Sequence, residues 1–209
     1  MNNQPADSKK DLILKTARGM LARHGFAKTT LDDIANALGM KKSSLYYYYD
    51  NKDALLEDVM QKEEEKYCSM VISSLSGSGK TIDKLIRYEK AKFRYIHETF
   101  KMNEVNTNIL FELKSKMYSQ ITRLRKVEYD NIKKTLDEGI KNGELKKCDT
   151  GRVTELLQTI SEGLRHREFY LSTFTMMKEI SFDRAVEEMT FAVRLILNGL
   201  SVKADADAK

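Results

Sequence analysis

Proline occurs once in these 209 residues, at Pro5, and glycine only ten times. Sandwiches, barrels and doubly wound sheets use both residues heavily in their many turns, so a chain this poor in them is expected to be all-α. Apolar residues make up 41% of the sequence, enough for an ordinary core in one large domain or two small ones. Nowhere do 18 apolar residues run uninterrupted, and the opening MNNQPADSKK lacks the apolar stretch of a signal peptide. A cytoplasmic protein without membrane contact is therefore expected. Cys68 and Cys148 lack CxxC spacing, and His24, His97 and His166 have no second His or Cys at ligand spacing. Neither a structural disulfide, a metal nor a cofactor is expected.

Apolar periodicity divides the chain into helices. Leu12, Ile13, Ala17, Met20 and Leu21 mark a first helix over 9–24, stopped by Gly25. Thr30 stands at an N-cap position with Asp33 three residues on, opening a second helix with Leu31, Ile34, Ala35 and Leu38 on one face and Gly39 at its end. A third helix over 43–49 completes helix-turn-helix spacing. A connecting helix from Asp53 to about Ser74 follows, then helices near 81–101, 104–115, 116–142, 151–177 and 182–200. The expected organisation is a unit over residues 1–52 and a larger helical body over 53–209. From Ser8 to Lys52 there are nine Lys or Arg against four Asp, so this stretch alone matches the +5 of the whole chain. Such a concentration fits an anionic partner.

The stretch MKKSSLYYYYDNK, residues 40–52, carries the chemistry. Four adjacent residues on a helix point about 100° apart, so Tyr46, Tyr47, Tyr48 and Tyr49 cannot all be buried. With Leu45 inward, Tyr49 follows it into the core, while Ser43 and Tyr47 lie opposite, flanked by Ser44, Tyr46 and Tyr48. Beside Lys41 and Lys42 this makes an exposed face of hydroxyls, phenols and ammonium groups. Hydroxyls donate to phosphate oxygens, lysines displace counterions, and serines allow close approach to base edges. That face lacks Arg, Asn and Gln, the commonest bidentate readers of bases.

The segment TTLDDIANALGMKKSSLYYYYDNKDALLEDVM resembles the helix-turn-helix of the tetracycline-repressor (TetR) family of transcriptional regulators. The likeness runs from about Ser8 to Met60 and is most specific in LYYYYDNKDAL; the body resembles the family in length, helix count and the EGIKNGELKKCD stretch. The resemblance implies an N-terminal three-helix DNA-binding domain joined to a C-terminal helical bundle that forms the dimer. It implies that Thr30, Ser44, Tyr46 and Lys52 hold phosphates, while Lys42, Ser43, Tyr47 and Tyr48 lie at or near base edges, with Lys41 beside them. It further implies a homodimer through the last two helices on a pseudo-palindromic operator, released by a small-molecule effector. Asp32, where some members place a base-contacting cation, either accepts from a cytosine amino group or is a solvated helix acid.

Other features carry two readings each. SGSGKT, residues 76–81, imitates a phosphate-binding loop, but Ser74 replaces the first glycine and a helix precedes it; it reads as a connector whose Thr81 caps the next helix. Phe93, Phe111, Met117, Tyr118, His166 and Tyr170 are either core and surface residues or the lining of an effector pocket in the body. No catalytic constellation is legible, so an enzyme is not expected. The competing expectation is a helical protein-interaction module that keeps the fold without ligand response.

Overall fold

A computed structural model of the chain describes residues 6–103, 107–174 and 181–202, with side chains over 8–99, 118–171 and 181–202. Eight helices and no strand are found among these residues: α1 Ala6–His24, α2 Leu31–Ala37, α3 Lys42–Tyr46, α4 Lys52–Leu75, α5 Thr81–Asn103, α6 Thr107–Lys141, α7 Thr150–Phe174 and α8 Asp183–Leu200. None is long and apolar enough to cross a membrane. Two compact units emerge, one of residues 1–66 with 100–122, the other of 67–99 with 123–209. Two expected boundaries are corrected. Regular helix in α3 stops at Tyr46 rather than residue 49, and α6 is one helix from 107 to 141, without the break expected at 115–116. No glycine or proline lies between Thr107 and Glu138, so nothing there ends a helix.

The first unit packs around Ile13, Leu14 and Ala17 of α1, Leu31, Ile34 and Ala35 of α2, Leu45 and Tyr49 at α3, and Leu55 and Val59 of α4. Thr30 closes a capping box on α2: its hydroxyl accepts from the Asp33 N–H at 3.1 Å, and the Asp33 carboxylate accepts from the Thr30 N–H at 2.9 Å. At the other end Gly39 takes φ of +62°, with its N–H on the Asn36 carbonyl at 3.0 Å and the Met40 N–H on the Ala35 carbonyl at 2.9 Å. This doubly bonded stop needs a left-handed residue, which is why glycine stands at the turn between α2 and α3.

The second unit is built on α5, the latter part of α6, α7 and α8. Ala185, Met189, Val193 and Leu197 bury one stripe of α8. Where α5 begins, the Thr81 N–H donates to the Glu144 carboxylate at 2.6 Å, and Arg87 holds the Ser74 and Ser76 carbonyls at 2.7 and 2.6 Å. The SGSGK segment is thus a pinned connector, and a carboxylate occupies the helix start where a phosphate loop would hold its anion. Gly139 allows this approach, since a Cβ there would collide with the Thr81 hydroxyl. The end of the described chain is tied down as well: the Lys146 N–H reaches the Leu200 carbonyl at 2.7 Å and the Val202 N–H the Glu144 carbonyl at 3.1 Å.

Candidate functional site

The third helix is only five residues long, and two anchors fix its direction. Leu45 is fully buried, and Tyr49, reached through an N–H bond of 3.1 Å to the Leu45 carbonyl, is only 4% exposed. The Tyr49 hydroxyl donates to Asp58 of α4 at 3.0 Å, and Lys10 of α1 pairs with the same carboxylate oxygen at 2.7 Å. The Lys10 bond holds the Asp58 carboxyl below its ordinary value against its partial burial, while burial pushes the Tyr49 phenol up. Arg18 with Glu63 at 3.0 Å and Lys62 with Asp11 at 3.2 Å add two further ion pairs between α1 and α4. Surface pairs of this kind contribute up to about 1 kcal/mol each, so the apolar anchors dominate.

What these anchors leave outside is the face expected from sequence. Lys41, Lys42, Ser43, Ser44, Tyr46 and Tyr47 are all exposed, Tyr47 to 85%. Tyr48 is half-buried against the core and meets the Tyr47 ring edge-on at 5.5 Å. A groove of about 700 Å³ runs beside the helix, with Leu12, Leu38 and Met40 in its wall and Lys9, Lys41 and Tyr47 around it. The Lys9 and Leu12 wall had no signature in the sequence, because these α1 residues meet Lys41 and Tyr47 around one groove only in the folded unit.

Three residues have partners within the protein. The Thr30 hydroxyl donates to Asp33 at 2.6 Å, a bond that lowers the Asp33 carboxyl below its usual range. Lys52 donates to the Phe26 carbonyl at 2.5 Å and sits 4.2 Å from the centre of the Phe26 ring. The Lys42 ammonium is hydrogen-bonded to Asp32, which raises its pKa. Thr30 and Lys52 therefore have structural roles in the free protein, and Asp32 is an ion-pair partner rather than a purely solvated acid.

The expected effector residues do not converge among the described side chains. Phe93 is buried against Phe182, ring centres 5.8 Å apart, whereas Tyr118, His166 and Tyr170 are exposed; the side chains of Phe111 and Met117 lie outside the described residues. What the second unit buries instead is a charged cluster. The Lys92 ammonium contacts Glu128 at 2.7 Å, Tyr67 donates to the other Glu128 oxygen, and Ser161 donates to Glu89 at 2.9 Å. All five are buried. The Tyr88 hydroxyl beside Glu128 is the one buried side-chain group among the described residues with no well-aligned partner. Burial raises the Glu89 carboxyl to about 7, with Lys92 and Ser161 opposing only in part. For Glu128 burial is again the largest influence, but Lys92 and the tyrosines outweigh it and hold that carboxyl below its ordinary value. Sequence reasoning missed this cluster, although a signal existed: Glu89 and Lys92 fall on the same stripe of α5 as Leu85 and Ile96.

Comparisons with known proteins meet this geometry at its N-terminal end. Residues 13–59 match the model of bacterial regulatory proteins of the tetR family, a span covering α2, α3 and parts of α1 and α4. The chain is 29% identical over 130 residues to IcaR of Staphylococcus aureus, the HTH-type negative transcriptional regulator of the biofilm operon icaADBC, covering 62% of this chain and 70% of that one. A transcriptional regulator of Cytophaga hutchinsonii shares the fold with a TM-score of 0.70 at 21% identity, over 94% of this chain and all of that one. A regulator of Saccharomonospora viridis, solved in complex with choline, superposes with a TM-score of 0.67 at 16% identity over 94% of this chain and all of its own.

Proposed function

We propose that the chain, whose residues 13–59 match the model of the tetR family of bacterial regulatory proteins, is a repressor of that family that binds a pseudo-palindromic DNA operator as a homodimer. The observation that carries this reading is the α3 face: Lys41, Lys42, Ser43, Ser44, Tyr46 and Tyr47 stand exposed together on a short helix held from behind by Leu45 and Tyr49. A five-residue helix is about 7.5 Å long and enters a major groove about 12 Å wide end-on or obliquely. Hydroxyls and Lys41 then meet phosphates, and Lys42, Ser43 and Tyr47 approach base edges. Repression is supported by IcaR, a negative regulator.

Dimerisation is supported by α8, which is apolar on two sides. Phe191 and Leu195, one turn apart and opposite the buried stripe, are 65% and 64% exposed, and Leu156 of neighbouring α7 is exposed too. Two N-terminal units on one two-fold axis would then address successive major grooves. Release by a small molecule is supported by the choline complex of the Saccharomonospora viridis regulator. Within this chain the charged cluster of Glu89, Lys92 and Glu128 joins α5 to α6, and Ser161 joins it to α7, so a ligand that altered its pairing would favour a different body arrangement. The protein acts in the cytoplasm, where its DNA is.

A mobility shift on the DNA upstream of the protein's own gene, at two salt concentrations and with nonspecific competitor, tests this reading. The expected result is a complex that survives competitor and weakens steeply with salt. Binding lost to competitor for that fragment and for duplexes selected from a random library would overturn it in favour of an interaction module.

A further inference from the structure

We propose that Asp32 is a positioning residue for DNA recognition: by holding the Lys42 ammonium across the turn, it makes that lysine a directed reader of base edges and lowers binding to unrelated sequences. This rests on the functional reading above. Lys42 is the first residue of α3 and Asp32 lies in the first turn of α2, ten residues earlier; their side chains meet by hydrogen bond and ion pair while remaining 61% and 38% exposed. Asp33, the neighbouring acid, is occupied by Thr30 in the capping box. Asp32 is therefore the carboxylate at the front of the turn that faces a cation of the reading surface.

Two consequences follow from elementary electrostatics. The pair carries no net charge, so Lys42 adds little to the counterion release that drives binding to any phosphate backbone. Its ammonium also keeps two further N–H donors with a restricted direction, which suits a base-edge acceptor better than a mobile lysine tip would. A lysine freed from this restraint would gain phosphate contacts on every sequence equally. Asp32 thus trades affinity for discrimination.

The test measures binding of Asp32→Asn and Asp32→Ala variants to a duplex selected from a random library by the wild-type protein and to a scrambled duplex of the same length, across a salt series. Both variants are expected to bind the scrambled duplex roughly three- to tenfold tighter, to steepen the salt slope there by about one, and to lose a similar factor in specificity ratio. In a Lys42→Met background the Asp32 substitutions are expected to leave the specificity ratio unchanged, because the carboxylate acts through the lysine. Unchanged ratio and slope in the single variants would overturn the proposal. So would an equal loss of specificity with Lys42 absent, which would make Asp32 itself the reader of a base amino group. A wild-type protein that selects no duplex at all fails the functional reading instead, so the two failures are distinct. Thermal melts of each variant separate these effects from misfolding.

Discussion

Leu45 in α3 and Tyr47 just past its end stand two residues apart and face opposite ways, one fully buried and the other 85% exposed, so substitutions at the two positions should separate folding from binding. Leu45→Ala removes a buried side chain from the centre of the N-terminal core and is expected to cost about 2–5 kcal/mol in denaturant unfolding. Tyr47→Ala should leave the unfolding midpoint unchanged and weaken operator binding roughly tenfold in the mobility shift, the scale of one lost contact at a phosphate or base edge. The division of the four tyrosines was legible from the helical wheel at both extremes, since Tyr47 is outward and Tyr49 inward. Less legible were Tyr48, which leans back onto the core, and Lys52, whose ammonium turns to the Phe26 carbonyl 26 positions earlier. Long flexible side chains choose partners by tertiary proximity, which a local pattern does not contain.

At the scale of the element, helix ends were legible wherever backbone chemistry enforces them. Gly25 and Gly39 adopt positive φ, and Thr30 with Asp33 closes a capping box, as their spacing predicts. The continuity of α6 through 115–116 was not, because a shift in the phase of apolar residues looks like a break although the backbone carries none. The charged cluster escaped for the converse reason: Glu89 and Lys92 sit where α5 faces inward, and charged residues are read as outward until their partners on α6 and α7 are known. The second apolar side of α8 yields a prediction of its own. Replacing Phe191 and Leu195 together by Glu should convert a dimer to a monomer in sedimentation equilibrium while the protein stays folded, since both side chains lie outside the protomer's core. A wild-type monomer, or a doubly substituted dimer, would exclude this face as the interface.

Over the whole molecule, the buried Glu89 should couple stability to pH. Its carboxyl is raised from 4.5 to about 7 in the folded state, so between these values the folded protein keeps a proton that the unfolded chain releases. Its contribution to stability is therefore fully present below pH 4.5 and is lost as pH rises through 7, a change on the order of 3 kcal/mol. Asp33 and Asp58, whose carboxyls are lowered, work in the opposite sense at more acidic pH, so the comparison to make is with Glu89→Gln. Urea unfolding at pH 5 and pH 8 should show the wild type losing stability over this range relative to the variant, whose position 89 does not titrate. The exposed phenols on α3 have an optical consequence as well. The chain contains no tryptophan, so its near-ultraviolet emission is dominated by ten tyrosines, and Tyr46, Tyr47 and Tyr48 lie on or beside the exposed face at α3. The protein thus carries its own fluorophores at the surface proposed to meet DNA, and the quenching of tyrosine light by stacked bases would report occupancy without a label.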